Sequence, residues 1–234
     1  MRTDAPKKTP RPFTRALALA CLSALAAAPA ASTAFVTAGR GANAAVRIRD
    51  IQGASHVSPL NGRAVAGVTG VVTFKRPGGF FMQDARPDAD ERTSEGLFVS
   101  ARSPAPVSVG DSVEVEGTVK ELRPGRSAPD NPNLSVTQIE ATSVRVVSSG
   151  NALPAPVVVG AGGRVPPRQV IEDDAGGDAE VSGLFDPGAD GLDFYESLEG
   201  MLVRVNSAVA VGPSITRRDS KDVVVIGDGG AGAG

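Results

Sequence analysis

The sequence predicts an all-β chain: a small five-stranded barrel followed by an acidic, incomplete β-rich segment. Three observations carry this. Short Val-rich runs alternate with turns in a chain holding 28 Gly and 18 Pro, a pattern of many brief strands. No stretch after residue 40 keeps a helical period. Three of the eight Phe fall in one hairpin, Gly79–Val99, although aromatics are only 4% of the chain. Large side chains this scarce must each serve core or contact.

Residues 1–30 have the layout of an export signal. Lys7, Lys8, Arg11 and Arg15 form a positive start, and Ala16–Ala28 is an apolar centre too short to span a bilayer. Ala28-Pro29-Ala30 is a small-x-small cleavage site, so a secreted, extracellular protein without a membrane span is expected. The single cysteine, Cys21, lies inside this segment. Ala18, where a lipidation signal favours Leu, and the short apolar run before Cys21 speak for an ordinary signal residue. The mature chain then has no disulfide to stabilise it. Removing residues 1–30 leaves 19 basic and 25 acidic residues, a net charge of −6. A chain of that charge is no general polyanion binder, and any nucleic-acid site must be a local patch.

Residues 31–45 are a flexible Ala/Gly/Ser/Thr lead-in, and 46–148 are the expected barrel. Val46–Ile51 reads as a short edge strand. His56, the only histidine, has no cysteine or carboxylate at ligand spacing and reads as a solvated or packing residue. Arg63–Phe74 is a long first strand in which Gly67 and Gly70 permit a sharp bend. Lys75–Gly78 is a turn with two positive charges. Strands follow at Gly79–Asp84 and Gly96–Ser100. Alternation buries Phe80, Met82, Leu97 and Val99 and leaves Phe81 and Phe98 on the outer face. Ser112–Glu121 is the cleanest strand, with Val113, Val115 and Val119 inward and Glu114, Glu116 and Lys120 toward water. A last strand reads through Leu134–Ile139 and Ser143–Val147, broken by a bulge near Ala141.

A long bent first strand and this strand order describe an oligonucleotide/oligosaccharide-binding (OB) barrel, whose ligand face is strands two and three with the flanking loops. Those loops carry Lys75 and Arg76 on one side and Arg123 and Arg126 on the other, with Phe81 and Phe98 between them. Aromatic platforms with basic flanks suit single-stranded or irregular nucleic acid, bound weakly. Residues 46–148 hold 12 basic and 12 acidic residues, and this neutrality keeps a second reading open. It is a structural or cell-surface module whose Phe face packs on protein or glycan.

Residues 149–170 form an extended Pro/Gly-rich linker, and 171–234 an acidic β-rich segment that reads as truncated. Residues 149–234 carry 13 acidic against six basic residues, so Glu172–Glu180 is expected to be a solvated loop. Asp193–Gly200 reads as a helical turn with Tyr195 packed, followed by a strand, and Val223–Ile226 as a final strand. Asp88, Asp90 and Glu95 in the acidic loop are candidate Ca²⁺ ligands, and Asp186, Asp190 and Asp193 weaker ones. Neither set has the spacing of a twelve-residue calcium loop.

Taken together, the stretches IRDIQGASHVSPLNG, GVVT, GFFMQD, PDADERTSEGLFV, VGDSVEVEGTVKE, GNALPAPVVVG and DFYESLEGMLVRV resemble the N-terminal half of secreted bacterial nucleases. In that family an OB-type module precedes a catalytic domain of the endonuclease/exonuclease/phosphatase type. The resemblance implies an extracellular partner domain that hydrolyses phosphodiesters with Mg²⁺ or Mn²⁺. Such chemistry needs several carboxylates and a pair of His, and one histidine is present here. No catalytic residue is carried over, and no nuclease activity is expected from this chain alone.

Overall fold

The computed structural model describes residues 45–101, 107–125, 131, 133–216 and 221–231. The export segment, nearly all of the lead-in, and Arg126 lie outside the described residues. The barrel strands are β1 (Ala64–Arg76), β2 (Gly79–Gln83), β3 (Gly96–Ser100), β4 (Ser112–Leu122) and β5 (Val136–Ser148). They close in the order β1-β2-β3-β5-β4. Neighbours pair antiparallel except β3 and β5, which run parallel with Phe98 opposite Gln138. This is the strand order expected from the sequence of an OB-type barrel.

Closure depends on irregularities in the long strands. The β1–β4 register shifts between Val65 and Val68, where Gly67 has φ +70°. That backbone region disfavours any residue with a Cβ, so Gly67 turns β1 from one sheet direction to the other. Gly70 lies in an unbroken stretch of the β1–β4 register, and a Cβ there would press on Met82 at 3.2 Å. In β5 the expected bulge is present: Glu116 faces Ser143 while Gly117 faces Ala141, leaving Thr142 as the extra residue.

The inward alternation expected of β2, β3 and β4 holds. Phe80, Met82, Leu97, Val99, Val113, Val115, Val119 and Ile139 are all buried in one core. Val46–Ile51 is not an edge strand. Residues Ile48–Gln52 form a short helix, α1. Ile48 and Ile51, three apart, fall on one helical face, and both are fully buried in the barrel core. Pairing in a strand would have put them on opposite faces. Asp50 accepts the Arg47 N–H at 2.8 Å across the first turn.

Downstream, β6 (Val157–Val159) lies within the expected linker and pairs parallel with β7 (Val203–Val205). Between them is α2 (Gly191–Glu196). Its sequence buries Phe194 but leaves Tyr195 exposed, because the two residues lie on adjacent sides of one turn. Tyr195 therefore does not pack in the interior; its ring meets Phe194 edge-on at 5.3 Å. The final strand is shorter than Val223–Ile226. β8 (Val209–Ala210) pairs with β11 (Val225–Ile226), and β9 (Ile215–Thr216) pairs with β10 (Lys221–Asp222). No helix among the described residues is long and apolar enough to cross a membrane.

Candidate nucleic-acid interface

The outer face of β2 and β3 is set by the same alternation that fills the core. Phe81 stands directly opposite Phe98, and Gln83 opposite Gly96. Phe81 and Phe98 have ring centroids 5.0 Å apart. A third ring joins them. A register shift between Val72 and Phe74 places Phe74 opposite Phe81, with centroids 6.5 Å apart. Simple alternation along β1 assigns Phe74 to the inner face, and the bulge at Thr73 reverses it. The signal was present in the turn. Counting back across Pro77-Gly78 pairs Arg76 with Gly79, Lys75 with Phe80 and Phe74 with Phe81.

The three rings differ in access. Phe74 is 59% exposed, Phe81 is half-buried, and Phe98 is only 7% exposed. Phe98 lies on the outer face as expected, but it is not open to solvent. The Arg76 guanidinium carbon sits 4.7 Å from its ring centre, a cation–π contact. Its edge fills the space where a Cβ on Gly79 would fall, 2.7 Å from that position. Phe74 and Phe81 thus form the accessible platform, and Phe98 with Arg76 forms its wall.

The other expected basic residues are placed differently. Lys75 has the opposite side-chain parity to Arg76, and its Nζ donates to the Val107 carbonyl at the barrel rim. Arg123 donates to the Asn133 carbonyl at 2.6 Å and forms an ion pair with Glu180. The loop after β4 is therefore tied to the downstream segment. In the acidic loop, Arg49 lies 3.2 Å from Asp88 and 3.5 Å from Glu95, while Arg92 takes Asp90 at 2.8 Å. Asp88, Asp90 and Glu95 are not among the described carboxylate groups that converge on a common point. The Arg92 guanidinium and backbone N–H hold Asp90 down at about 2.

The lower half of the same face is covered. Leu202 donates its N–H to Gln83 Oε1 at 2.8 Å, and Ser94 Oγ donates to the Glu199 carbonyl at 2.6 Å. The Gly96 backbone lies so close to Gly200 that a Cβ would fall 2.2 Å from the Gly200 carbonyl carbon. Gln52 donates to the Gly96 carbonyl at 2.7 Å and also reaches Glu199 at 3.3 Å. The Thr137 N–H donates to Glu199 at 3.1 Å. Burial, with the nearby Glu196 charge, pushes Glu199 up to about 8.

His56 belongs to this junction and is neither solvated nor alone. It is 8% exposed, its Nε2 lies 2.7 Å from Asp193 Oδ1, and Phe185 meets its ring edge-on at 5.3 Å. Nδ1 faces Glu196 at 3.7 Å. Burial alone would lower its proton affinity; Glu196 and Asp193 outweigh that and raise it. Burial raises Glu196, partly offset by His56. The partners are 137 residues apart in sequence, which is why ligand spacing could not reveal them. Glu180 also turns inward from the otherwise solvated acidic loop, accepting the Ser135 N–H. Asp186, Asp190 and Asp193 do not gather: Asp193 accepts the Asp186 N–H, and Asp190 groups instead with Glu172 and Asp174.

A family model described as a domain of unknown function, DUF8508, matches residues 158–233, from β6 onward. No curated protein matches the chain. Among solved structures, it is similar to a small single-stranded DNA-binding protein from Streptomyces coelicolor. That match has 17% identity and a TM-score of 0.26, and covers 37% of this chain and 94% of that one. It is also similar to a protein described as an aspartyl-tRNA synthetase from Leishmania major Friedlin, with 15% identity and a TM-score of 0.30. That match covers 55% of this chain and 24% of the other. The barrel assignment rests on the strand order itself.

Proposed function

We propose that this chain is a single-strand nucleic-acid-binding module whose contact surface is the upper half of the β2–β3 face. The observation that supports this most is the ring ladder Phe74–Phe81–Phe98 with Arg76 stacked on its end. Bases stack on aromatic faces without regard to sequence, at about 1–3 kcal/mol per base. Arg76 stacks on the end of the platform, and of its three expected partners Lys75 and Arg123 are engaged by protein groups, while Arg126 lies outside the described residues. Binding should therefore be weak, sequence-tolerant and only modestly salt-dependent.

The test is fluorescence anisotropy with a labelled oligothymidylate. Phe81→Ala and Phe74→Ala should each weaken binding roughly tenfold while the fold is retained. Binding unchanged in both variants would defeat the reading. Failure to bind any single strand, with retention on immobilised protein or glycan, would favour a docking role for the same face.

On the sequence resemblance to secreted nucleases we propose further that the module is exported and presents strands to a metal-dependent catalytic domain. Mass spectrometry of culture medium should find a mature N-terminus near Ala31. Finding only uncleaved protein inside cells would contradict export.

A further inference from the structure

We propose that Glu172, Asp174 and Asp190 form a binding site for a hard divalent cation, Ca²⁺, beside the His56–Asp193 pair. One carboxylate oxygen from each of the three lies within 4.8 Å of the others. Asp190 is 1% exposed, and its Oδ1 is buried without a hydrogen-bond partner. A buried, unpaired carboxylate oxygen is costly unless a cation meets it.

Glu172 Oε1 accepts the N–H groups of Asp174 and Ala175, at 3.1 and 2.9 Å, and Asp174 Oδ1 accepts that of Leu184 at 2.9 Å. Asp190 Oδ1 accepts no hydrogen bond, and the Glu172 and Asp174 carboxylates lie close enough to interact with each other. No arginine or lysine among the described residues forms an ion pair with the three residues.

A neighbouring set, His56, Glu172 and Asp193, also converges within 4.8 Å. Both Asp193 oxygens are already engaged, by His56 and by the Asp186 N–H, so that set has less to offer a metal. Three oxygen donors on an irregular loop suit Ca²⁺, which completes its shell with carbonyls and water, better than Mg²⁺, which demands a regular octahedron. Glu172 is common to both sets, so an ion there would be felt at His56.

The experiment uses the full chain, with calorimetric titration of CaCl₂, thermal melts, and NMR of the ring of the only histidine. Ca²⁺ should release or absorb heat, raise the melting temperature and shift the His56 ring signals. Asp174 is exposed, so Asp174→Asn tests the ligand without threatening the fold; it should weaken Ca²⁺ by at least about tenfold. Asp190→Asn should abolish the thermal shift. No heat and no thermal shift at millimolar Ca²⁺ would overturn the proposal. Equal Ca²⁺ affinity in both variants would also overturn it, as would tighter Zn²⁺ binding with the His56 ring as a direct ligand.

Discussion

The outer face of β2 and β3 meets two environments within five residues of strand. At its upper end Phe74 and Phe81 face outward, and Arg76 covers Phe98. At its lower end Gln83 and Gly96 are buried beneath Gly200 to Leu202. The difference lies in side-chain size and hydrogen-bonding capacity. Gly96 and Gly200 let two backbones touch, and Gln83 satisfies the Leu202 N–H that this contact would otherwise strand. Three Phe offer area but no polar partner, so they cannot receive a backbone in the same way. One face thus docks the chain's own downstream segment and keeps aromatic surface for a ligand.

The largest expected effects separate core from face. Phe80→Ala empties a fully buried position and should cost about 3–5 kcal/mol of barrel stability in urea unfolding. Phe81→Ala, one residue along, should cost far less and act on binding instead. Equal destabilisation by the two would place Phe81 in the core.

Next comes the docked half. Gly96→Ala forces a Cβ into the Gly200 backbone and should destabilise the junction by about 3 kcal/mol. Limited proteolysis should then cut near residues 196–202 while oligonucleotide binding persists. Loss of binding in step with docking would show that the two halves are one surface.

A smaller effect is expected from pH. Glu199 lies at about 8 in the folded chain against an ordinary value of 4.5. Its contribution is complete below 4.5 and is lost as pH rises through about 8. His56, also raised, acts with the same sign: its contribution is present below its ordinary value of 6.5 and is lost above its folded value. The melting temperature should therefore fall as pH rises through neutrality, and Glu199→Gln should flatten that slope. An unchanged slope in the variant would remove Glu199 as its source.

The smallest pair concerns charge. Arg76→Ala should weaken binding by a few-fold, of the order of one exposed cation–π contact. Arg123→Ala should leave binding nearly unchanged, because that side chain is committed to Glu180.

Much of the barrel was legible because period-2 alternation and turn residues act locally. Gly96–Ser100 and the inward set Phe80, Met82, Leu97 and Val99 follow directly from them. Helix α1 was missed because five residues carry too few turns to show a period, and Ile48 and Ile51 decide it only once the barrel mouth exists. Phe74 was not singled out, because both faces of β1 read as apolar or small and the one-residue bulge that brings it beside Phe81 leaves no mark in the alternation. The His56–Asp193 and Gly96–Gly200 contacts join residues more than a hundred positions apart, and no local pattern encodes them. Phe98 was placed on the correct face, but its cover by Arg76 is a property of side-chain reach across the hairpin.

The division of the face is tested most directly by backbone amide NMR during titration with an unlabelled oligothymidylate. Shifts should concentrate at Phe74, Arg76, Phe81 and Phe98, with Gln83, Gly96 and Gly200 to Leu202 unmoved. Shifts centred on Gly96 and Gly200 to Leu202, with Phe74 and Phe81 silent, would contradict it.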